Sequence, residues 1–339
     1  MMHMPARIRL HRLSILLLIM TSAITPLRAD SNQLAFSRNQ ALAQTINLAE
    51  RSSAESDVSI IAEAGFTAIR LVLAPFKEMQ QDEGQWRFNT AWLKDVERIV
   101  ERALQHDLAI ILDHHEYFPM GEKPEEMHDQ YMESWRLLAQ HFAHLPNDTV
   151  FFELLNEPNT NLTPKLWNTY LAEAIAVVRK SNPERTLIIG PGHWNNIKFL
   201  KQLKIPKSER NVIATFHYYE PFQFTHQGAS WTPNMKDVKD VRWNGTPEQI
   251  KEVLSDLQSA AQWGKKEQRP LLLGEFGAIK YAALEDRVRY YHVVHTVAEK
   301  YGISWAAWGF RDGHYSIYDS KKAQWNQALL YGLRGKPTQ

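Results

Sequence analysis

Two glutamates stand just beyond strongly apolar runs. Asn156-Glu157-Pro158 follows residues 151–155, and Gly274-Glu275-Phe276-Gly277 follows residues 271–273. A carboxylate at the end of a buried strand is costly unless it is paired, so each needs partners or a task. Paired carboxylates across a groove are the working parts of glycoside hydrolysis: one protonates the leaving oxygen, the other attacks the anomeric carbon. The bland alternative is a pair of structural salt bridges. Other polar groups gather at the ends of similar runs: Arg70 inside 68–73, Asp113-His114-His115-Glu116 after 109–112, and His193-Trp194-Asn195 after 186–189. His217-Tyr218-Tyr219 follows 212–216, and Trp305-Ala306-Ala307-Trp308 closes the series. Arg70 and His217 are the nearest partners that strand order offers the two glutamates.

Metal chemistry fits less well. His114, His115 and Glu116 could suggest a hydrolytic metal centre, but no His-x-His motif occurs. Adjacent histidines on a strand also face opposite ways, so only one can enter a shared site. No metal and no cofactor are expected. A metal-dependent barrel hydrolase stays as an alternative that would lose activity with a chelator. No Gly-x-Ser-x-Gly elbow points to a serine hydrolase, and zero cysteines exclude thiol catalysis, disulfides and thiolate zinc sites.

The elements that must position these groups alternate regularly. Eight short β-rich runs (45–49, 68–73, 109–112, 150–155, 186–189, 212–216, 271–273 and 304–308) are separated by amphipathic stretches. Residues 92–106 place apolar side chains at 93, 96, 99, 100, 103 and 104, a helical period. Thr163-Pro164 and Thr246-Pro247-Glu248 are helix starts, the second helix running to about Trp263-Gly264, and the helix of 284–300 stops at Gly302. Strands alternating with helices imply a parallel sheet, and eight of them in about 300 residues fit a single-domain (β/α)8 TIM barrel. An open doubly wound sheet would want a glycine-rich phosphate turn after its first strand, and Asn47-Leu48-Ala49-Glu50 is not one. In a barrel every one of those polar strand ends converges on one face.

The formal net charge is +1 over 339 residues, without the basic stripe that a nucleic-acid partner requires. Residues 1–29 carry Arg7, Arg9, Arg12 and Arg28, no acid, and an apolar run over 13–25. That pattern reads as a signal peptide, hence a secreted or periplasmic protein with residues 30–339 as the catalytic domain; a buried N-terminal helix is the alternative. Losing those four arginines turns +1 into −3. No other apolar run approaches membrane length, so no membrane span is expected, and the protein is expected to be a monomer. Eleven tryptophans are the compositional surplus.

The ordered set of Arg70, Asp113-x-His115, Asn156-Glu157-Pro158, His217-x-Tyr219, Gly274-Glu275-Phe276-Gly277 and Trp308 resembles glycoside hydrolase family 5, the cellulase and mannanase family. The stretch His217-Tyr218-Tyr219-Glu220-Pro221-Phe222, with Phe224-Thr225-His226-Gln227-Gly228-Ala229 and Trp231, is closest to bacterial endo-β-1,4-glucanases of that family. The resemblance implies a retaining double displacement on a β-linked polysaccharide or oligosaccharide. Glu157 would be acid then base, and Glu275 the nucleophile, whose charge would raise the Glu157 pKa. Arg70 and Tyr219 would hold Glu275, Asn156 would meet the sugar 2-hydroxyl, and His115 and His217 would be walls. Trp308 would be the floor under the sugar, with Trp194, Trp231 and His226 in neighbouring subsites. Trp305, Trp92, Trp135, Trp167 and Trp263 are read as packing.

The chain departs from the family's habit at Ala49-Glu50-Arg51 after the first strand and at Gly309 after Trp308, where close relatives often carry a glutamate. The role of His114 is open. Endo-β-mannanase or mixed β-glucanase and xyloglucanase activity is the nearest alternative. A non-catalytic carbohydrate-binding barrel is a remote one, because both glutamates are present.

Overall fold

The computed structural model describes residues 31–49, 54–311 and 313–335. The expected leader, residues 1–29, and the departures at Glu50 and Arg51 lie outside them. Eight parallel strands close into a barrel: β1 (Gln44–Leu48), β2 (Ala68–Leu73), β3 (Ala109–His114), β4 (Val150–Glu153), β5 (Leu187–Ile189), β6 (Val212–Tyr218), β7 (Leu271–Phe276) and β8 (Ser304–Ala307). Each pairs with its sequence neighbour, and β8 pairs back to β1. This is the (β/α)8 architecture expected, with strand ends shifted by a few residues.

The helices that follow the strands outside the barrel are α1 (Ala54–Glu63), α2 (Thr90–Gln105), α3 (Pro124–His141), α4 (Pro164–Arg179), α5 (Pro247–Glu267), α6 (Leu284–Lys300) and α7 (Gln327–Arg334); a further helix, Ser31–Asn39, precedes β1, and short ones stand at Tyr117–Glu122 and Phe222–Thr225. Their starts follow the chemistry of the caps. The Thr163 side chain accepts from Leu166 N, and Thr246 forms a capping box with Gln249. On α2, Trp92, Val96, Ile99, Val100 and Ala103 are buried, one face of the expected helical stripe. Helix α5 passes through Gly264 instead of ending there, and stops at Gln268 in the left-handed region (φ +53°). Gly264 lies so close to Arg269 O and the Leu271 side chain that a Cβ would be 3.0 Å from each. Its role is close packing of the helix on the chain that returns into β7.

Two features were not legible beforehand. The β5–β6 crossover carries only a 3-10 turn, Ile197–Gln202. An antiparallel hairpin, Met79–Asp82 with Gln85–Phe88, extends the connection from β2 to α2.

Alternation sorts the barrel interior into layers. Ala68, Ala109, Ile111, Phe151, Ile188, Ile213 and Leu272 form an apolar plug at the end where the strands begin. Two residues further on, the same faces present Arg70, Asp113 and Glu153, and His217 stands four residues beyond Ile213, all buried. The charged layer therefore sits at the C-terminal end of the barrel, on a dry floor.

Candidate active site

Arg70 is the hub of that layer. Its Nε and Nη2 donate to the two Glu153 oxygens at 2.7 and 2.8 Å. Nη1 donates to Asn47 Oδ1 at 2.9 Å and Glu275 Oε1 at 2.8 Å, and Nη2 also donates to Asn156 Oδ1 at 2.9 Å. A guanidinium has five N–H donors, and here all five are used. Asp113 Oδ2 lies 3.2 Å from Nη2, so three buried carboxylates surround one fully buried cation. These partners push the Arg70 pKa well above its usual value, against its burial.

Glu275 lies within β7, and plain alternation from the inward-facing Leu272 would turn it out of the barrel. A register shift against β6 between Phe216 and His217 skips Gly274 and brings Glu275 opposite His217. Gly274 permits this because a Cβ there would meet Thr215 Oγ1 at 2.5 Å. Arg70 and the Tyr219 hydroxyl (3.0 Å to Oε2) both donate to the Glu275 carboxylate. Burial and the carboxylates nearby keep the Tyr219 phenol protonated, so it stays a donor. Burial raises the Glu275 pKa, while His217 and Arg70 oppose the rise.

Glu157 follows β4 with its backbone in the left-handed region (φ +43°), uncommon for a non-glycine residue and typical of sites where the surroundings impose the conformation. His217 Nδ1 lies 2.7 Å from its Oε1 and 3.6 Å from Glu275 Oε2. Burial keeps His217 neutral, its pKa down at about 4. Asn195 Nδ2 approaches Nε2 at 3.4 Å, which leaves the proton on Nδ1, facing Glu157. The Glu157 carboxyl is pushed up to about 7, and the largest cause is burial. Among charges, Asp113 and Glu153 add to the rise while His115 and Arg70 oppose it. Desolvation, and not the expected repulsion from Glu275, leads the rise; the Glu157 charge in turn raises the Glu275 pKa.

One oxygen or nitrogen from each of Glu157, His217 and Glu275 lies within 4.8 Å of the others. Such a trio could chelate a divalent ion, but the same spacing suits two carboxylates acting on one bond: retaining enzymes hold them ~5–5.5 Å apart, whereas inverting ones need ~6.5–9.5 Å.

The remaining expected residues divide by position. His115 is neutral, its pKa lowered by burial to about 4; its Nδ1 donates to Asp113 at 2.6 Å, and Asn156 Nδ2 meets its Nε2 at 3.3 Å. The Trp308 ring is stacked on His115, centroids 5.9 Å apart and 8° from parallel. His114 faces outward, bonded to Ser134 and packed among Phe76, Tyr131 and Trp135, so its role is in the wall. His226 stacks on Phe222 and meets Tyr219 edge-on at 5.0 Å, reaching the site through that ring. Trp231 is half exposed against His314, and Trp194 against Tyr117. Trp305 packs between barrel and helix, its Nε1 donating to Glu299 at 2.9 Å. Trp135 and Trp167 are fully buried, Trp92 nearly so and Trp263 partly.

Sequence reasoning missed Glu153, which sits inside a run read as apolar. An acid there is as anomalous as Arg70 in its own run, and that shared anomaly was the available signal. Asn47 was noted only in the stretch after the first strand that lacks a phosphate turn. Its Nδ2 donates to Gly274 O at 3.1 Å and Ala307 O at 3.2 Å, tying β1 to the ends of β7 and β8.

A closed parallel barrel with two glutamates facing each other at the ends of β4 and β7, above an arginine hub, defines a barrel glycoside hydrolase. The family model for cellulase, glycosyl hydrolase family 5, matches residues 30–313. The chain belongs to that family. Among curated relatives, Endoglucanase C of Acetivibrio thermocellus is 27% identical over 317 residues, covering 84% of this chain and 91% of the relative. Endoglucanase 3 of Fibrobacter succinogenes is 26% identical over 315 residues, and the match spans 79% of this chain but only 47% of that longer protein. Thermotoga maritima Cel5A, solved with cellobiose and separately with mannotriose, superposes with a TM-score of 0.84 at 34% identity, covering 88% of this chain and 99% of Cel5A.

Proposed function

We propose that the protein is a retaining endo-β-1,4-glucanase. The observation that carries this reading is the pair of carboxylates, Glu157 and Glu275, within 4.8 Å of each other and in unlike surroundings. Glu275 accepts from Arg70 and Tyr219, so it ionises ahead of Glu157 and serves as nucleophile. Glu157, held up at about 7, keeps its proton near neutrality and gives it to the leaving oxygen. His217 occupies Oε1, which leaves Oε2 free to carry that proton. Once Glu275 is bonded to the sugar its charge is gone, Glu157 ionises more easily, and it takes a proton from the attacking water.

Asn156 is fixed by Arg70 through Oδ1, which aims its amide at the sugar 2-hydroxyl, a contact that strengthens in the transition state. His115 and His217 wall the same subsite, and the Trp308 face offers an apolar floor to the axial C–H groups of a pyranose. Trp231 and His226 belong to neighbouring positions. Neither a metal nor a cofactor enters this chemistry. Residues 1–29 direct export to the periplasm or beyond, residues 30–339 are the catalytic domain, and the protein acts as a monomer. No helix among the described residues is long and apolar enough to cross a membrane.

Mannan is the second substrate, because Thermotoga maritima Cel5A has been solved with mannotriose as well as cellobiose. The test is release of reducing ends from carboxymethylcellulose, lichenan, glucomannan, galactomannan and xyloglucan by the wild type, Glu157→Gln and Glu275→Gln. Carboxymethylcellulose and lichenan should be the best substrates, and either variant keeping near wild-type rates sinks the assignment of the carboxylates.

A further inference from the structure

Asn47 is fully buried in β1, and its side chain bonds to residues of three other strands. Oδ1 accepts from Arg70 Nη1 at 2.9 Å, while Nδ2 donates to Ala307 O at 3.2 Å and to Gly274 O at 3.1 Å. A guanidinium only donates and a carbonyl only accepts. The Asn47 amide can therefore stand only one way round, with both of its N–H groups used.

Two of these contacts lead to Glu275. Arg70 Nη1 gives one hydrogen to Asn47 and the other to Glu275 Oε1 at 2.8 Å, so Asn47 fixes the direction of the second bond. Gly274 stands immediately before Glu275, at the irregular step of β7. There β7 advances two residues, Leu273 to Glu275, while β6 advances one, Phe216 to His217. Against β8 it advances three, Leu273 to Phe276, while β8 advances two, Trp305 to Ala307. The extra residue breaks the ladder on both sides, so its carbonyl needs a donor from elsewhere. Asn47 supplies one from beyond the adjacent strand, because β8 lies between β1 and β7. The bond to Ala307 O, on that intervening strand, anchors the amide on its way.

We propose that Asn47 is the positioning residue of the nucleophile: it holds the β7 bulge and the Arg70 guanidinium in the arrangement that turns the Glu275 carboxylate toward the anomeric carbon. This rests on the reading of Glu275 as nucleophile given above. The competing role is a staple that merely closes the barrel between β8 and β1. Such a staple exists at the other end of the same seam, where Ser304 Oγ donates to Asn39 O at 2.8 Å, both residues buried.

Labelling with 2-deoxy-2-fluoro-β-cellobiosyl fluoride separates the two roles. Glu275 attacks C1, the C1–F bond breaks, and fluoride leaves without a proton from Glu157. The fluorine at C2 slows the release of the sugar, so the glycosyl-enzyme accumulates and is read by mass spectrometry. The labelling rate constant at saturation reports how Glu275 is placed in folded molecules, and the labelled fraction reports how many molecules are folded. Asn47→Ala cuts both routes to Glu275, and its rate constant should fall about 30-fold, the scale of two neutral hydrogen bonds. Asn47→Asp has the same shape and keeps an acceptor for Arg70 but lacks the donors, and should fall at least about fivefold. The half-saturating concentration should stay within about threefold in both, and Ser304→Ala should label within about twofold of the wild-type rate. If Asn47→Ala does not fold, Asn47→Asp decides alone. Unchanged rate constants with a smaller labelled fraction, or an equal loss in Ser304→Ala, overturn the proposal and leave the nucleophile assignment standing. A wild type that is not labelled, or is labelled away from Glu275, overturns that assignment and the proposal with it.

Discussion

The alkaline limb of the pH profile follows from how Glu157 is buried. The proposed glycosylation step needs its carboxyl protonated, and burial holds the pKa at about 7 against an ordinary value of 4.5. The sign is that of an acid form stabilised by the site, so activity persists up to the raised pKa and is lost above it. From about pH 6 to about pH 8 the protonated fraction falls from about 0.9 to about 0.1, and kcat/KM should fall about tenfold. An unshifted carboxyl would be only about 3% protonated at about pH 6, leaving little activity near neutrality. The assay is kcat/KM against pH on reduced cellopentaose, whose leaving group needs the proton, and on β-cellobiosyl fluoride, whose leaving group does not. The limb should be present with the first and absent with the second. Glu153→Gln supplies the perturbation: it removes one of the charges that raise Glu157, so the limb should move to lower pH, by up to about one unit. A limb near the ordinary carboxylate value, or one shared by both substrates, refutes the assignment of Glu157 as the buried acid.

Arg70→Lys keeps a charge but has three donors for five acceptors, so two buried hydrogen bonds are lost. At ~1–3 kcal/mol for each unsatisfied group the cost is ~2–6 kcal/mol, and calorimetry should show Tm lowered by roughly 3–9 °C, with kcat depressed through the loosened Glu275. Although Glu157, His217 and Glu275 could chelate an ion, both carboxylates are needed free for the proposed chemistry. EDTA should therefore leave carboxymethylcellulose hydrolysis unchanged; loss of activity restored by a divalent ion would favour the metal-dependent alternative.

The fold was legible because its signals are local and repeated. Helix caps at Thr163 and Thr246, and β-rich runs at barrel spacing, each express a backbone preference that neighbours in sequence suffice to create. Arg70, Glu157 and Glu275 were legible because charge beside an apolar run is anomalous, and anomaly asks for a partner. Glu153 escaped because its run was read as uniformly apolar.

From the amino-acid order alone came the number of strands, the face on which chemistry would gather, and the two carboxylates. Which way Glu275 points was a tertiary matter: the bulge at Gly274 is defined by register against β6, and register is a property of two strands. The proposed split between an acid that keeps its proton and a carboxylate that gives it up is tertiary too. It depends on which groups donate to Glu275 and how far Glu157 is removed from water, and both come from six strands meeting at one end of a closed barrel.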